Sequence, residues 1–168
     1  GYLGKEWHNQ AKLMKKKVVF DDFIACAEYF IEEKYTSADK IISSGGSAGG
    51  TLVCAAMNKR PDLFHIVIAR VPAVDSLTRL LDTSVAGSIA HFDEIGNPQI
   101  EEQYHYIKSY SPYENVTAQD YPHIFLTCGL NDPRVQYWQP AKLAAKIRAL
   151  NTGHNTLIFK TSMNSGHF

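Results

Sequence analysis

Three residues of the chain have the types and the order that nucleophilic catalysis by a serine requires. Ser47 lies in the pentapeptide GGSAG at residues 45–49, which matches the G-x-S-x-G pattern of a nucleophile elbow. A serine hydroxyl attacks a carbonyl group only when a base takes its proton, and a third group must orient that base. Asp132 and His167 follow in the order acid, then base. The sequence therefore predicts a triad of Ser47 as nucleophile, Asp132 as acid and His167 as base.

The residues around Ser47 indicate a sharp turn between a strand and a helix. We expect positions 45 and 49 to require glycine, because a side chain there would collide with the adjoining strand and helix. Free N–H groups at the start of the helix, with that of Ala48 foremost, would donate to an oxyanion. A glycine-serine linker is disfavoured because apolar segments flank the glycines. A phosphate-binding loop is also disfavoured, because Thr51 follows the glycines where such a loop has lysine.

Asp132 and His167 each follow a predicted strand, and the competing residues do not. Asp132 lies in GLNDPRV after the apolar run HIFLTC, and His167 lies in NSGHF after TLIFK. Asp120 is the main alternative acid, but it precedes its strand and would lie at the opposite edge of the sheet. Five other histidines lie at strand starts or in helical and loop segments and are predicted to be structural: His8, His65, His105, His123 and His154.

The elements that must position these residues alternate between strands and helices. Short apolar runs predict strands at residues 40–43, 64–71, 123–128 and 156–160, and helical periodicity predicts helices at 18–34, 51–59 and 140–150. This alternation predicts an α/β fold with a mostly parallel sheet and helices on both faces. With the elbow and triad order, it indicates an α/β-hydrolase fold. Residues 75–119 interrupt the alternation and are predicted to form an insertion over one face of the sheet.

Composition excludes several classes of partner. Lysine plus arginine equals aspartate plus glutamate at 17 each, so net charge gives no reason to expect a nucleic-acid or membrane partner. Cys26, Cys54 and Cys128 lie in apolar stretches without paired spacing, and they are predicted to be buried thiols of a reducing compartment. No apolar run approaches the ~20 residues that span a bilayer. The 168 residues suffice for one domain, and because they open with Gly1 we expect an internal fragment.

Several longer segments together resemble a known family. They are GGSAGG, RPDLFHIVIARVP, GNP, SYSPYENVTAQDYPH, GLNDPRVQYWQPAKLAAKIR and SGHF, and they extend over essentially the whole chain. They resemble the catalytic domain of the prolyl oligopeptidase family of serine peptidases, in its oligopeptidase B branch. The resemblance implies a cytoplasmic peptidase that cleaves short peptides and needs no metal or cofactor. Ser47, Asp132 and His167 match the family's nucleophile, acid and base. Arg134 matches an arginine that holds a carbonyl of the bound peptide.

The resemblance also implies parts of the enzyme that lie outside residues 1–168. Members carry a β-propeller that screens the active site, together with the first strands of the hydrolase sheet. Those strands bring a tyrosine hydroxyl that completes the oxyanion hole. We therefore expect residues 1–168 to be a partial catalytic domain that requires the propeller of the same polypeptide. Of the two oxyanion donors, only the N–H of Ala48 is assigned here.

Substrate choice is predicted from the segment HFDEIGNP. The oligopeptidase B branch cuts after arginine or lysine, and acidic residues just before GNP form the pocket for that side chain. Asp93 and Glu94 keep two acids, but the family's first acidic position corresponds to His91. A histidine offers no negative charge to a guanidinium, so we expect a weakened basic preference. The alternative for Asp93 and Glu94 is an ordinary solvated surface.

Two other functions are compatible with the same residues. An esterase or acylaminoacyl-peptidase would use the same fold and triad, because these do not fix the acyl substrate. A non-catalytic binding protein could keep a hydrolase fold and use its exposed sheet for docking. The complete triad in the sequence argues against the binding protein.

Overall fold

The sheet of the protein contains four parallel strands that neighbour one another in chain order. The computed structural model describes residues 2–85 and 87–167. The strands are β1 (Ile42–Gly46), β2 (Ile66–Arg70), β3 (His123–Gly129) and β4 (Leu157–Ser162). All three neighbouring pairs are parallel, and Val67 of β2 is paired with Ser43 on one side and Ile124 on the other. The predicted α/β class and its parallel sheet are confirmed.

Seven α-helices accompany the sheet within the residues that the structure describes. They are α1 (Lys5–Asn9), α2 (Val18–Glu32), α3 (Ala48–Lys59), α4 (Ser76–Leu81), α5 (Phe92–Ile95), α6 (Glu101–Lys108) and α7 (Trp138–Leu150). The three helices predicted from periodicity correspond to α2, α3 and α7. Pro140 lies in the first turn of α7, where the missing N–H of proline costs no helical hydrogen bond.

The main core lies between one face of the sheet and three helices. Alternate residues of β2 and β3 point to this face, as the two-residue period of a strand requires. They pack with the apolar sides of α2, α3 and α7 in one cluster that contains Val67, Ala69, Ile124, Leu126, Ile24, Met57 and Leu143. The cluster holds α3 against β1 and β2 and α7 against β3 and β4.

The predicted insertion forms a second, smaller core on the outer side of α3. Leu77 and Leu80 of α4 and Ile107 of α6 pack with Phe20 of α2 and Ala55 of α3. The insertion therefore packs on α2 and α3, which themselves cover the sheet. This arrangement places α5, with residues 92–95, beside the N-terminal segment of the chain.

The opposite face of the sheet carries apolar side chains that remain accessible. Ile68 of β2 is paired with Phe125 of β3, and Phe125 is paired with Ile158 of β4. Ile68 and Phe125 are both half-buried. Ile42 of β1 and Ile158 of β4 are 55% and 53% exposed. Within residues 2–85 and 87–167, the sheet is thus covered by helices mainly on the face that carries Val67 and Ile124.

One of the three cysteines that the sequence predicts to be buried is exposed. Cys54 and Cys128 are buried, but Cys26 is exposed. The apolar stripe of α2 follows Phe20, Ile24 and Ala27, and Cys26 lies outside that helical spacing. The prediction of a buried Cys26 is wrong because only one side of α2 faces the core.

None of the helices in residues 2–85 and 87–167 combines the length and the apolar character that crossing a lipid bilayer demands.

Candidate active site

Ser47 occupies a strained turn between β1 and α3. Its φ and ψ of 55° and −119° lie outside the regions that side-chain-bearing residues favour. The N–H of Ser47 donates to the carbonyl of Arg70 (2.9 Å), and the N–H of Ala73 donates to the carbonyl of Ser47 (3.1 Å). These two bonds fix the turn to the end of β2 and to the segment that follows it. Strain held by its surroundings in this way is typical of functional positions.

The glycines around Ser47 have different reasons to be glycine. A Cβ on Gly45 would lie 2.1 Å from the carbonyl oxygen of Gly49, so this position excludes a side chain. A Cβ on Gly49 would meet nothing within 4 Å, and the predicted collision at Gly49 is therefore wrong. Gly50 carries the second restriction, because a Cβ there would lie 2.4 Å from the Cβ of Pro72. The sequence pattern alone did not reveal this contact, since it joins α3 to the segment after β2.

The start of α3 offers backbone donors beside Ser47. Ala48 is the first residue of α3 and is exposed, and an N–H in the first turn has no acceptor within its own helix. The N–H groups of Gly50 and Thr51 donate instead to the carbonyl of Ser47, at 3.0 and 3.3 Å. The arrangement suits an anion held against the helix start.

Asp132 and His167 form a buried acid–base pair. Nδ1 of His167 lies 2.7 Å from Oδ2 of Asp132, and the two side chains are 6% and 0% exposed. Oδ1 of Asp132 accepts hydrogen bonds from the N–H groups of Arg134 (2.8 Å) and Val135 (2.9 Å). These donors satisfy the carboxylate in the ionised form and fix its plane. The sequence prediction that these two residues meet agrees with this geometry.

The loops that carry this pair are fastened to each other. The N–H of Leu130 donates to the carbonyl of Ser162 (3.0 Å), and the N–H of Asn131 donates to that of Ser165 (3.1 Å). A Cβ on Gly129 would lie 2.1 Å from the carbonyl oxygen of Gly166, so the loops approach too closely for a side chain there. Sequence reasoning missed Gly129, although its place directly after the predicted strand at 123–128 was a usable signal.

The three triad candidates follow strand ends at one edge of the sheet. Ser47 follows β1, Asp132 follows β3 and His167 follows β4, and the carboxyl ends of parallel strands share one edge. Asp120 lies at the opposite edge, in a cavity of about 410 Å³ that His65 also lines. The prediction that Asp120 is at the wrong edge agrees with this placement.

Two histidines predicted to be structural also lie at that opposite edge. The rings of His65 and His123 are 5.2 Å apart between centroids, in an edge-to-face arrangement. Nδ1 of His123 accepts a hydrogen bond from the N–H of Thr156 (3.0 Å). These contacts join the starts of β2, β3 and β4.

The predicted substrate-binding residues lie in two places. Arg134 is exposed and belongs to the loop of Asp132. Asp93 is exposed on α5, and His91 at the start of that helix has its Nδ1 2.5 Å from the carbonyl oxygen of Gly87. Glu94 is half-buried and its two oxygens contact His8 and Lys16. Burial alone would raise the pKa of Glu94, but the hydrogen bonds from Lys16 and His8 outweigh it and lower that pKa.

A buried charge next to the elbow was not predicted from the sequence. The side chain of Asp75 is 0% exposed, caps α4 through the N–H of Thr78 and pairs with the ammonium of Lys142 on α7. Lys142 also lies 4.3 Å from the ring centroid of Tyr113. Burial and the nearby Asp75 raise the pKa of Glu114. Asp75 lies two residues after Ala73, so this cluster supports the segment that holds Ser47.

Comparisons with known proteins show which family the chain is similar to. The model of the prolyl oligopeptidase family matches residues 1–168. Protease 2 of Moraxella lacunata is 48% identical over 166 residues, which are 99% of this chain and 24% of that protein. Dipeptidyl aminopeptidase BI of Pseudoxanthomonas mexicana is 41% identical over 165 residues, or 98% and 23%. The structure of oligopeptidase B from Trypanosoma brucei with covalently bound antipain has a TM-score of 0.93 at 46% identity, over 95% of this chain and 22% of that one. The chain thus spans about a quarter of the length of these relatives.

Proposed function

Because the chain belongs to the prolyl oligopeptidase family of serine peptidases and is similar to oligopeptidase B, we propose that it hydrolyses peptide bonds through Ser47, Asp132 and His167. The buried 2.7 Å contact between His167 and Asp132 is the observation that carries the proposal. A carboxylate with two backbone N–H donors on one oxygen and an imidazole on the other has the environment of a triad acid. Ser47 on its strained turn at the same sheet edge supplies the nucleophile.

The proposed reaction proceeds through an acyl-enzyme. An ionised carboxylate only accepts hydrogen bonds, so Nδ1 of His167 carries the hydrogen that faces Asp132 and Nε2 has the lone pair. Nε2 takes the Ser47 proton as Oγ attacks the substrate carbonyl, and it then gives that proton to the leaving amine. The N–H of Ala48 stabilises the oxyanion. Water, activated by the same imidazole, hydrolyses the ester and releases the acid.

We further propose a preference for arginine or lysine on the acyl side of the cleaved bond. The exposed carboxylate of Asp93 supports this preference, because a guanidinium in a pocket requires a negative partner. Family membership alone does not decide it, since relatives of similar identity are called Protease 2 and Dipeptidyl aminopeptidase BI. Arg134, exposed beside Asp132, is proposed to hold a peptide carbonyl.

The remaining parts of the enzyme are proposed to come from the rest of the polypeptide. The chain spans 24% of the length of Protease 2, which leaves room for a propeller and the first sheet strands. We propose that these parts screen the site and supply the second oxyanion donor. The substrates would then be short peptides that pass this screen.

Labelling by a fluorophosphonate tests the assignment of Ser47 in the full-length polypeptide. We expect stoichiometric labelling at the peptide that contains Ser47, and loss of both labelling and peptide hydrolysis in Ser47→Ala. A well-folded Ser47→Ala variant with near-normal turnover would exclude Ser47 as nucleophile. Absence of labelling in the wild-type enzyme would instead favour a non-catalytic hydrolase-fold binding protein. Faster turnover of esters or acylated amino acids than of peptides would favour the esterase or acylaminoacyl-peptidase alternative.

A further inference from the structure

The segment proposed to choose the substrate is fastened to the N-terminal part of the chain by one carboxylate. Oε1 of Glu94 lies 2.5 Å from Nζ of Lys16, and Oε2 lies 2.7 Å from Nε2 of His8. Glu94 is separated from these partners by 78 and 86 residues. Both carboxylate oxygens of Glu94 therefore already bind side chains of the protein itself, and neither is free for a substrate.

The two consecutive acids of this segment have different surroundings. Asp93 and Glu94 are neighbours in α5, and successive helical residues point about 100° apart. They therefore cannot line one face of a pocket together. Within residues 2–85 and 87–167, the carboxylate of Asp93 makes no salt bridge and is exposed, whereas Glu94 is half-buried with two cationic or polar partners.

From this difference we infer that Glu94 is a positioning residue, which leaves the substrate cation to Asp93 as proposed above. Glu94 acts as a clamp between α5 (Phe92–Ile95) and the N-terminal segment, which we define as residues 5–17. The inference rests on the proposed peptidase function, because it assigns roles within that substrate site. It also divides two residues that the sequence pattern placed in one role.

Apolar and backbone contacts make the clamp part of a larger junction. Phe92 and Ile95, on either side of the acids, pack against the second core that contains Phe20 of α2. The N–H of Lys17 donates to the hydroxyl of Tyr106 on α6 (3.0 Å). The packing sets where α5 lies, and Glu94 then sets its rotation, because two bonds from different directions fix a carboxylate more tightly than one.

The cost of using Glu94 for a substrate supports the same division of roles. A substrate cation at Glu94 would have to displace Lys16, which is 23% exposed and already bound. The displaced ammonium would then be left half-buried without its anion, which is unfavourable. Asp93 needs no such displacement.

The experiment compares variants on both sides of the clamp in the full-length enzyme. Lys16→Met keeps the stem of the side chain and removes the ammonium, while Glu94→Gln removes the charge from the other side. The matched control is Lys15→Met, because the ammonium of Lys15 bonds to Gln10 and does not contact Glu94. Substrates are matched peptides with arginine or the neutral isostere citrulline before the cleaved bond.

We expect Lys16→Met and Glu94→Gln to lower kcat/KM by a similar factor, about tenfold, for both substrates. This lies within the ~10² that a 1 Å misplacement costs. The loss should fall mainly on KM, the double variant should be no worse than either single one, and Lys15→Met should match wild type. Asp93→Asn should differ by lowering only the arginine rate. A small fluorophosphonate should label Ser47 at an unchanged rate in Lys16→Met, Glu94→Gln and Lys15→Met.

Two results would overturn the inference. If Glu94→Gln removed the preference for arginine over citrulline while Lys16→Met left it intact or sharpened it, Glu94 would be a substrate carboxylate. Hydrogen exchange of residues 92–96 separates this result from a failure of the proposed function. We expect faster exchange there in Lys16→Met than in Lys15→Met, whether or not the protein cleaves peptides. Equal exchange in the two variants would also overturn the clamp.

Discussion

The two oxygens of Asp132 have separate tasks at the scale of single residues. Oδ1 accepts from the N–H groups of Arg134 and Val135, and Oδ2 faces Nδ1 of His167. In Asp132→Asn the two N–H donors should keep the amide oxygen, which turns the NH₂ group toward His167. The imidazole would then have the wrong tautomer, so we expect kcat to fall about 10⁴-fold with little change in fold. Steady-state kinetics and circular dichroism of the full-length enzyme measure both.

Asp120→Asn is the matched control for this substitution. It removes the same charge from an exposed acid that lies at the opposite edge of the sheet. We expect it to retain activity within severalfold of wild type. Equal losses in the two variants would show that Asp132 acts through general stability or charge and is not the triad acid.

Single residues were predictable from the sequence where a chemical motif coincided with the chain order. Ser47, Asp132 and His167 could be proposed from the sequence because each follows a predicted strand and because the order along the chain is restrictive. Asp75 with Lys142 was not found, because the pair joins positions 67 residues apart that belong to no short pattern. Charges in the sequence are exposed by default, so a buried pair gives no local signal.

At the scale of elements, the elbow depends on how closely α3 approaches the segment after β2. Gly50→Ala would place a Cβ 2.4 Å from Pro72, against 4 Å of open space around Gly49. We expect Gly50→Ala to destabilise the full-length enzyme by about 1–3 kcal/mol and to lower kcat, because overpacking would shift α3 or the turn. Thermal unfolding and peptide kinetics measure the two effects.

Gly49→Ala serves as the control within the same turn of helix. Alanine is the better helix former by about 0.5–1 kcal/mol, so we expect an unchanged or slightly higher unfolding temperature. The result would contradict the packing argument if Gly49→Ala were the more damaging of the two.

Elements were predicted well in kind and less well in extent. Periodicity located α2, α3 and α7 because each has an apolar stripe that faces the core. β1 was predicted at residues 40–43 but comprises Ile42–Gly46, because backbone pairing with β2 carries the strand through two glycines that have no side chains to signal it. The distinction between Gly49 and Gly50 required the tertiary contact with Pro72.

At the scale of the whole molecule, the two faces of the sheet differ in how far helices cover them, and the sequence did not reveal this difference. The alternation of strands and helices predicts helices on both faces, but it does not show which segments cover each face. Helices cover the face of Val67 and Ile124, whereas Ile42 and Ile158 on the other face are largely exposed. Covering depends on segments distant in sequence, and this chain spans about a quarter of the length of its relatives.

This face leads to a prediction about the 168 residues produced alone. Ile42 and Ile158 form an exposed apolar surface on this face. Within the described residues, one edge of β1 has no strand partner. Together these two features form a template for association with another chain. We expect the isolated chain to self-associate with rising concentration in sedimentation velocity. We also expect it to lack peptidase activity, because the second oxyanion donor is proposed to come from the rest of the polypeptide. A double variant with Ile42→Lys and Ile158→Lys should shift the chain toward monomer, because two ammonium groups oppose burial of the face. Phe30→Lys, at a side chain of α2 that is 49% exposed, is the control and should leave association unchanged. A monomeric, fully active isolated chain would contradict both the role of this face and the expectation that the site is completed by the rest of the polypeptide.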